Sequence, residues 1–342
     1  MRPFLFDRAT GLEQACRMGT STGQGQVDAA SQYLAGGTTL IDLMKLDVLR
    51  PQRLIDLGGL ISRKEAVAAG AEGLRLSAFA TMSEVADNPV VKAKYPVIAQ
   101  SLQLAASPQL RNMATLGGNV LQKTRCPYYR DPSWGACNKR APGSGCTALN
   151  AFNRNHAVLG TDTSCISQYP GDFAIALIAL DASVDLVGPQ GARTIPFAEL
   201  HRSAEGRPHI ETTLQPGEII TAFHVSAGPW TERSLYLKIR DRASYEFAIA
   251  AAAVALDLQG NVVRQVRIGL GGMAYRPWRA REAERLLTGR TLSEAVATEA
   301  ASAALSEAVT HGHNDYKPEL ARRTIVRALL EARAMKPETK GA

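Results

Sequence analysis

The chain has 342 residues, of which 45% are hydrophobic, and carries a formal net charge of +7 at pH 7. This length and apolar content are ample for a buried core and favour two domains. The basic residues are scattered, without a Lys/Arg tract and with little aromatic interleaving, which argues against a dedicated nucleic-acid-binding protein. A large acidic partner or a buried anionic cofactor explains the basic excess equally well.

Neither a membrane span nor a secretion signal is predicted. The longest apolar stretch, residues 248–256, is far too short to cross a bilayer. The first seven residues, MRPFLFD, contain no signal-peptide apolar region and no twin arginine. We therefore expect a cytoplasmic protein, or a periplasmic one that is co-exported with a signal-bearing partner.

Residues 1–60 are predicted to form a small α/β unit. Residues 33–45 combine an apolar entry, a double glycine with two threonines and a helical apolar pattern, which is typical of a strand, a tight turn and a helix. Residues 53–57 follow as the next strand. Beyond this unit we predict a strand at 74–79, a capping box at Thr81-Met82-Ser83-Glu84, and a helix at 96–106 that ends before Pro108.

The segment 124–165 differs from the rest of the chain. It is rich in Cys, Pro, Gly, Asn and Arg and lacks sustained periodicity, so a bound group such as a metal cluster would be needed to order it. Periodic patterning returns with a helix at 172–180, a strand at 183–187 and a turn into a strand at 216–220. From about residue 230, strands at 235–239, 248–256 and 262–270 precede helices at 278–287, 292–304 and 318–335, which predicts an α+β C-terminal domain.

Four of the five cysteines lie in or at the end of this segment. Cys126, Cys137, Cys146 and Cys165 are separated by 10, 8 and 18 residues. Disulfides fit poorly with a large chain that has no secretion signal of its own, and the closely paired cysteines of many zinc sites are absent. A [4Fe-4S] cluster takes four thiolates at wide spacing and fits better.

The surroundings of these cysteines suit an anionic cluster. Gly143 and Gly145 let backbone N–H groups approach sulfur closely. Cys16 lies apart and is expected to be a buried apolar side chain. Positive charge would come from four residues, Arg125, Arg130, Lys139 and Arg140.

Two glycine-containing turns are candidate phosphate-binding loops. Small residues expose backbone N–H groups, and threonine hydroxyls add donors. The first is Gly36-Gly37-Thr38-Thr39, which is neither a Walker A motif nor G-x-G-x-x-G, and the second spans residues 114–119, ATLGGN. Taken alone, such a turn is more often only a turn. Two in one domain could grip a pyrophosphate from both sides, which favours a dinucleotide.

The loops belong to longer stretches that resemble a known family. Residues 107–119, SPQLRNMATLGGN, and residues 35–40, AGGTTL, resemble the FAD-binding subunits of the molybdenum hydroxylases, the xanthine dehydrogenase family. Residues 137–140 (CNKR), 143–146 (GSGC) and 154–160 (RNHAVLG) resemble the flavin subunit of bacterial periplasmic aldehyde oxidoreductases, which carries an extra [4Fe-4S] cluster. The resemblance covers essentially the whole chain.

This resemblance implies an α+β protein with two domains. The FAD-binding domain, residues 1–228, would have the two-lobed fold of p-cresol methylhydroxylase, with lobe one at 1–60 and lobe two at 61–228. FAD would lie between the lobes, and the iron–sulfur insertion would occupy residues 124–166. The C-terminal domain, residues 229–342, would contain an antiparallel sheet and helices, as in CO dehydrogenase flavoproteins, and would close over the flavin.

The resemblance also implies cofactor contacts by position. Asp172 matches an acidic FAD contact, although it is equally placed to be a helix N-cap. Lys238 matches a lysine beside the flavin ring, whose charge would stabilise the reduced, anionic flavin; an exposed strand lysine is the alternative. For His156 a satisfied structural role is expected, and the four cysteines would hold the cluster. The pyrophosphate and ribose would be held by Ala35, Gly36, Gly37, Thr38, Thr39, Leu40, Thr115, Gly117, Gly118 and Asn119.

The implied function is electron transfer within a heterotrimer. The substrate would be oxidised at a molybdenum cofactor on a large partner subunit. Electrons would pass through [2Fe-2S] clusters on a small partner subunit to FAD in this chain, and then to an external acceptor. Because the cluster insertion separates this chain from the NAD-reducing members, the acceptor stays open. Whether the cluster relays electrons or only orders the insertion is also open.

Other functions are compatible with parts of the sequence. The nearest are the flavin subunit of a hydroxybenzoyl-CoA-reductase-like enzyme, which also carries an extra cluster, and a xanthine-dehydrogenase-like subunit. Residues 155–160, NHAVLG, favour the aldehyde type over the hydroxybenzoyl-CoA-reductase type. More distant alternatives are an iron–sulfur module that binds nucleic acid and a freestanding flavin oxidase, which would need a substrate base and a pocket of its own.

Overall fold

Three β-sheets organise the part of the chain that the computed structural model describes, residues 1–20, 29–60 and 66–336. The sheets take their strands from residues 5–56, 67–226 and 234–279. This arrangement confirms the predicted α+β class. Within the described ranges, no helix combines the length and apolar content that crossing a bilayer requires.

The first sheet is parallel, with the order β1-β3-β2, and confirms the α/β unit predicted at the start of the chain. Its helix α2 buries Leu43 and Met44 in a small core with Leu54. The elements are β1 (Leu5–Arg8), α1 (Leu12–Met18), β2 (Ser31–Leu34), α2 (Leu40–Lys45) and β3 (Arg53–Asp56).

The second sheet is antiparallel, with the order β4-β5-β8-β6-β7. Its central strands bury one or both faces, whereas most side chains of the two outer strands are exposed or half-buried. The strands are β4 (Val67–Gly70), β5 (Gly73–Ser77), β6 (Ser183–Gly188), β7 (Gly191–Pro196) and β8 (Ile219–Ser226).

A long excursion between β5 and β6 contains short helices and the cysteine segment. The predicted capping box is confirmed: Thr81 Oγ1 accepts the Glu84 amide proton at 3.2 Å, and Glu84 Oε2 accepts the Thr81 amide proton at 2.8 Å. The helices are α3 (Met82–Asp87), α4 (Pro89–Lys94), α5 (Pro96–Gln103), α6 (Pro108–Arg111), α7 (Leu116–Val120), α8 (Pro127–Arg130) and α9 (Phe173–Ala179).

Helix α9 joins the two halves of the molecule. Every one of its residues is buried. Phe173 packs edge-on against Phe223 of β8, with ring centroids 5.7 Å apart, and the same helix contacts β10 (Ala250–Gln259) and β11 (Val262–Gly271) of the third sheet. Burial on all sides explains why its sequence, FAIALIA, contains no polar residue.

The third sheet is antiparallel, with the order β12-β11-β10-β9. Helix α12 packs on β10, whose small alanine side chains are buried on both faces of the strand. The helix predicted from residue 278 begins later, because Trp278 and Arg279 pair with β11 as a short strand. The remaining elements are β9 (Ser234–Ile239), β12 (Trp278–Arg279), α10 (Arg281–Leu287), α11 (Glu294–Ala303) and α12 (Lys317–Ala334).

The domain limits that we predict fall between sheets. The limit at residue 228 lies between β8 and β9. The start of lobe two at residue 61 lies outside the described residues. Both limits stay predictions.

Candidate cofactor site

A cleft opens between the loops of the first sheet and those of the second. Its volume is about 390 Å³, within the range of small-molecule sites. Three stretches supply most of its wall: the loop after β2, the start of α7 and the segment 210–220 that leads into β8. All six residues predicted in the first loop, 35–40, line this cleft.

The first loop presents unused backbone donors to the cleft. The amides of residues 36–40 have no hydrogen-bond acceptor among the described residues. Gly37 has φ +74°, a conformation that glycine adopts without strain. A Cβ on Gly36 would lie 1.9 Å from the Met113 carbonyl oxygen, so only glycine lets this loop approach the second one. The loop therefore fits an anionic group such as a pyrophosphate.

The second loop is closed by its own hydrogen bonds. The Gly117 amide donates to the Ala78 carbonyl at 2.8 Å, and the Gly118 amide donates to Thr115 Oγ1 at 3.2 Å. The Asn119 amide donates to the Thr115 carbonyl at 2.8 Å. Thr115, Gly117 and Gly118 line the cleft. Because the amides of Gly117, Gly118 and Asn119 are engaged, this loop forms a wall, and the open donors lie in the first loop.

Three predicted contact residues, Asn119, Asp172 and Lys238, are not part of the cleft wall. Asn119 Oδ1 is buried and has no hydrogen-bond partner within the described ranges. Lys238 Nζ lies 2.7 Å from Asp172 Oδ2, and the Tyr236 hydroxyl donates to Asp172 Oδ1 at 2.7 Å. Burial raises the pKa of Asp172, and the ammonium of Lys238 opposes this rise.

The alternatives to cofactor contact that we considered were a helix N-cap for Asp172 and an exposed strand lysine for Lys238, and neither describes this pair. Asp172 stands at the N-cap position of α9, but its side chain does not bond the helix amides. Lys238 is not an exposed strand lysine, since its side chain is only 1% exposed. The two residues fasten α9 to β9, and their predicted contacts with FAD stay predictions.

The four predicted cluster ligands converge on one cavity. Cys126, Cys137, Cys146 and Cys165 all line it, and its volume, on the scale used for the cleft, is about 10 Å³. Cys137 and Cys146 face each other across an isolated β-bridge, and the thiols of Cys146 and Cys165 hydrogen-bond each other. All four are free thiols, so the disulfide alternative does not describe this structure.

The cavity differs from a site for a single ion. Among the described residues, no three or more His, Cys, Asp or Glu side chains are arranged to hold one metal ion. A cubane cluster spreads its four thiolate ligands over four iron atoms, so it needs thiols around a space rather than around a point. The donor set, four thiols from distant parts of the segment, fits such a cluster.

His156 is buried beside the cysteine cavity. Its Nε2 lies 3.2 Å from Cys126 Sγ, whereas its Nδ1 has no partner within the described ranges. Only one of the two ring nitrogens thus has a hydrogen-bond partner, although we expected a structural histidine with both engaged. Burial lowers the pKa of His156 to about 4, and burial raises the pKa of Cys126 to about 12. The hydrogen bond from Cys146, together with the charge of Lys139, lowers the pKa of Cys165.

The glycines of the insertion shape its turn. Gly143 and Gly145 have φ values of +85° and +97° and lie in the tight turn between Cys137 and Cys146. The Gly145 amide donates to Asn138 Oδ1 at 2.8 Å. We predicted that this amide approaches a cysteine sulfur, but in the structure it bonds the Asn138 side chain.

The basic residues of the insertion are engaged by protein acceptors. Arg130 lies 2.7 Å and Arg125 lies 3.5 Å from Asp42 of α2, the helix that follows the first loop. Arg140 donates to the carbonyl oxygens of residues 128 and 129 at 2.7 and 2.9 Å. Lys139 pairs with Glu211 at 2.7 Å. These contacts tie the insertion to both sides of the cleft.

Two family models cover most of the chain. The FAD binding domain in molybdopterin dehydrogenase matches residues 3–227, and the CO dehydrogenase flavoprotein C-terminal domain matches residues 235–332. The chain belongs to the family of FAD-binding subunits of molybdenum hydroxylases. It is thus an oxidoreductase subunit, and the family confirms the resemblance found in the sequence.

Individual relatives of this FAD-binding subunit match along its length. The aldehyde oxidoreductase FAD-binding subunit PaoB of Escherichia coli K12 is 41% identical over 340 residues, which cover 98% of this chain and 99% of that one. The carbon monoxide dehydrogenase medium chain of Afipia carboxidovorans is 28% identical over 342 residues, with 97% of each chain covered. A solved carbon monoxide dehydrogenase from Hydrogenophaga pseudoflava shares the fold, with a TM-score of 0.72, 24% identity and 97% of each chain covered.

Sequence reasoning missed a group of polar residues beside the cleft of this FAD-binding subunit. Lys123 lines the cleft, and Glu211 and Tyr275 lie behind it with Lys139. Lys123, Glu211 and Tyr275 are single polar residues outside any motif, and the contacts within the group join residues 72 to 136 positions apart in the sequence. No local pattern could have identified them.

Proposed function

We propose that this chain is the FAD- and [4Fe-4S]-carrying electron-transfer subunit of a molybdenum-dependent aldehyde oxidoreductase. It would pass electrons from a partner's molybdenum and [2Fe-2S] centres through FAD to an external acceptor. The aldehyde class is supported by 41% identity, over 98% of this chain, to a relative named as an aldehyde oxidoreductase subunit. The observation that carries the cluster assignment is the convergence of four free thiols on one cavity.

The cleft residues would hold FAD by its negatively charged phosphates. The amides of residues 36–40, which have no acceptor in the described part of the chain, would donate to phosphate oxygens, and the closed loop at Thr115, Gly117 and Gly118 would form the opposite wall. Bound FAD supplies two-electron redox chemistry that no side chain provides. The protein contributes binding and orientation, and the walls of the cleft keep water away from the bound cofactor.

The insertion would hold the cluster through Cys126, Cys137, Cys146 and Cys165. Deprotonation of these thiols accompanies metal binding, because thiolate is the ligand. His156, 3.2 Å from Cys126 Sγ, would donate a hydrogen bond to that ligand. Since the same insertion contacts Asp42 and Glu211 on the two sides of the cleft, filling the cavity would also brace the FAD site.

The proposed partners are a molybdenum-cofactor-binding large subunit and a small [2Fe-2S] subunit. Support comes from the relatives, two of which are named as an FAD-binding subunit and a medium chain. Such an assembly would act in the periplasm after co-export with a signal-bearing partner, or in the cytoplasm, and fractionation of producing cells distinguishes the two.

Single cysteine replacements test the cluster assignment. Cys137→Ser should lose the iron and the broad visible absorption of the cluster, whereas the matched control Cys16→Ser, which replaces a buried cysteine outside the cavity, should keep both. Co-production with the partner subunits should give aldehyde-dependent reduction of an artificial acceptor. Equal metal content in both variants, or reduction driven by xanthine or an aromatic thioester instead of aldehydes, would contradict the proposal.

A further inference from the structure

A buried chain of charges connects the FAD cleft with the cysteine cavity. Glu211 is its centre: Oε1 accepts from Lys139 Nζ at 2.7 Å, and Oε2 accepts from Lys123 Nζ. Lys123 lines the cleft, and Lys139 lines the cysteine cavity. One carboxylate thus binds a lysine from each site.

The three side chains of this bridge are largely removed from water. Their exposed fractions are 11% for Lys123, 17% for Glu211 and 2% for Lys139. Lys139 also donates to the Tyr275 hydroxyl at 2.8 Å and to the Pro208 carbonyl at 3.2 Å. Burial alone would raise the pKa of Glu211, but the two ammonium groups outweigh burial and lower it to about 2. Glu211 is therefore ionised at neutral pH.

Glu211 belongs to a backbone segment that forms one wall of the cleft, but its side chain lies behind that wall. Its neighbours Ile210 and Thr212, and then Leu214, line the cleft. An extended segment alternates its side chains between two faces, so Glu211 can reach Lys139 while the residues on either side contact the cleft. A displacement of Glu211 would therefore shift the backbone segment 210–214 that forms this wall of the cleft.

We propose that Glu211 is a positioning residue that couples occupancy of the cysteine cavity to the affinity of the cleft for FAD. The inference rests on the proposed function, because it requires a cluster in that cavity. With the cluster bound, the insertion is ordered and Lys139 holds Glu211, and through it the wall at 210–214. Without the cluster, the insertion that carries Lys139 would lack the thiolate bonds that order it, so the contact between Lys139 and Glu211 would weaken and the wall would lose part of its anchor.

A double-mutant cycle tests this coupling in the full-length chain. The proteins are the wild type, Glu211→Gln, Cys137→Ser and the double variant, and the measurements are iron per chain and the FAD dissociation constant of the flavin-depleted protein. We expect Cys137→Ser to lose iron and Glu211→Gln to keep it. Each single change should raise the FAD dissociation constant about tenfold, a typical size for coupling between sites.

The decisive result is the double variant. If both changes act through the same anchor, the double variant binds FAD about as weakly as either single variant. If the two effects multiply to about a hundredfold, or if Glu211→Gln leaves the FAD dissociation constant unchanged, the coupling is overturned while the cluster assignment stands. A wild-type chain without iron overturns both, so the two failures are distinguishable.

Two further proteins separate positioning from general destabilisation. Glu284→Gln is a matched control, since Glu284 is buried, pairs with Arg279 and lies in the C-terminal half. It should lower the melting temperature without changing the FAD dissociation constant. Glu211→Gln should also raise the flavin midpoint potential, because it removes a negative charge beside the cleft, and a merely structural role would not do so. If Glu211→Gln does not fold, Lys139→Met cuts the same contact from the cavity side and is judged by iron per chain and by the same criterion of non-additivity.

Discussion

Replacement of Lys238 with methionine decides whether this residue holds the fold together or tunes the flavin. Its ammonium lies 2.7 Å from Asp172 Oδ2 and 3.0 Å from the Leu104 carbonyl. The side chains of Lys238 and Asp172 are 1% and 5% exposed. Removing one member of a buried ion pair leaves an uncompensated charge and costs about 3–5 kcal/mol of unfolding free energy. We expect Lys238→Met to lose this amount at pH 8.

The loss should be smaller at acidic pH. Burial already raises the pKa of Asp172 in the presence of Lys238, and removing the ammonium raises it further. Between the unfolded pKa of about 3.9 and the higher folded pKa, the folded protein binds more protons, so its stability falls as the pH rises. Urea unfolding should therefore find Lys238→Met closer to the wild type at pH 5 than at pH 8.

A second replacement checks the assignment of the loss to the unpaired carboxylate. Lys238→Met/Asp172→Asn removes both charges and leaves the Tyr236 hydroxyl an amide oxygen to bond, so most of the lost stability should return. A Lys238→Met protein that is as stable as the wild type at pH 8, and differs only in its flavin midpoint potential, would refute this account. Such a result would favour direct contact between Lys238 and the flavin.

Three more predictions concern the cleft, the cysteine cavity and a buried lysine. Gly36→Val should abolish FAD retention, measured as flavin per chain after purification, because a Cβ would lie 1.9 Å from the Met113 carbonyl oxygen. His156→Phe should lower the cluster midpoint potential in an EPR redox titration, because a hydrogen bond to Cys126 sulfur is lost. Burial lowers the pKa of Lys317 to about 7, whereas an unfolded lysine titrates near 10.4. Between these values the unfolded chain binds more protons, so stability should rise with pH by about 3–5 kcal/mol in total.

Each of these predictions has a matched control. Gly70→Val tests whether any valine is harmful, since nothing lies within 4 Å of a Cβ at Gly70, and equal flavin loss in both variants would contradict the steric argument. His224→Phe, which replaces a histidine paired with Asp185 in the second sheet, should leave the cluster potential unchanged. Lys317→Met should flatten the rise of stability with pH, and the exposed-lysine variant Lys92→Met should not. If stability still rises with pH to the same extent in Lys317→Met, the rise comes from another titrating group and the prediction is wrong.

The fold could be predicted where buried side chains recur with a clear period. Central strands such as β8 and β10, and the capped helix α3, were predicted because each buries a face or carries its cap locally. The strands β1, β4 and β7 were not predicted. All three are edge strands with mainly exposed or half-buried side chains, so the chain carries no alternation of buried and exposed residues there.

The residues of the candidate site also fall into those that could be predicted from the sequence and those that could not. The first loop could be predicted because its glycines and threonines act locally in one turn, and the cysteines could be predicted because few chemistries need four thiols. The pairing of Asp172 with Lys238, 66 residues away, could not, since each residue has a plausible local role by itself. Glu211 was missed for a similar reason: its partners lie 88 and 72 residues earlier in the chain.

The central claim is that this chain carries both a flavin and an iron–sulfur cluster, and its metal and flavin content tests it most directly. The measurement is iron, acid-labile sulfide, zinc and flavin per chain in protein purified without oxygen, together with the visible absorption spectrum. The account predicts one flavin and about four irons with matching sulfide per chain. Iron-free protein in which the four cysteines bind zinc or form disulfides would contradict it.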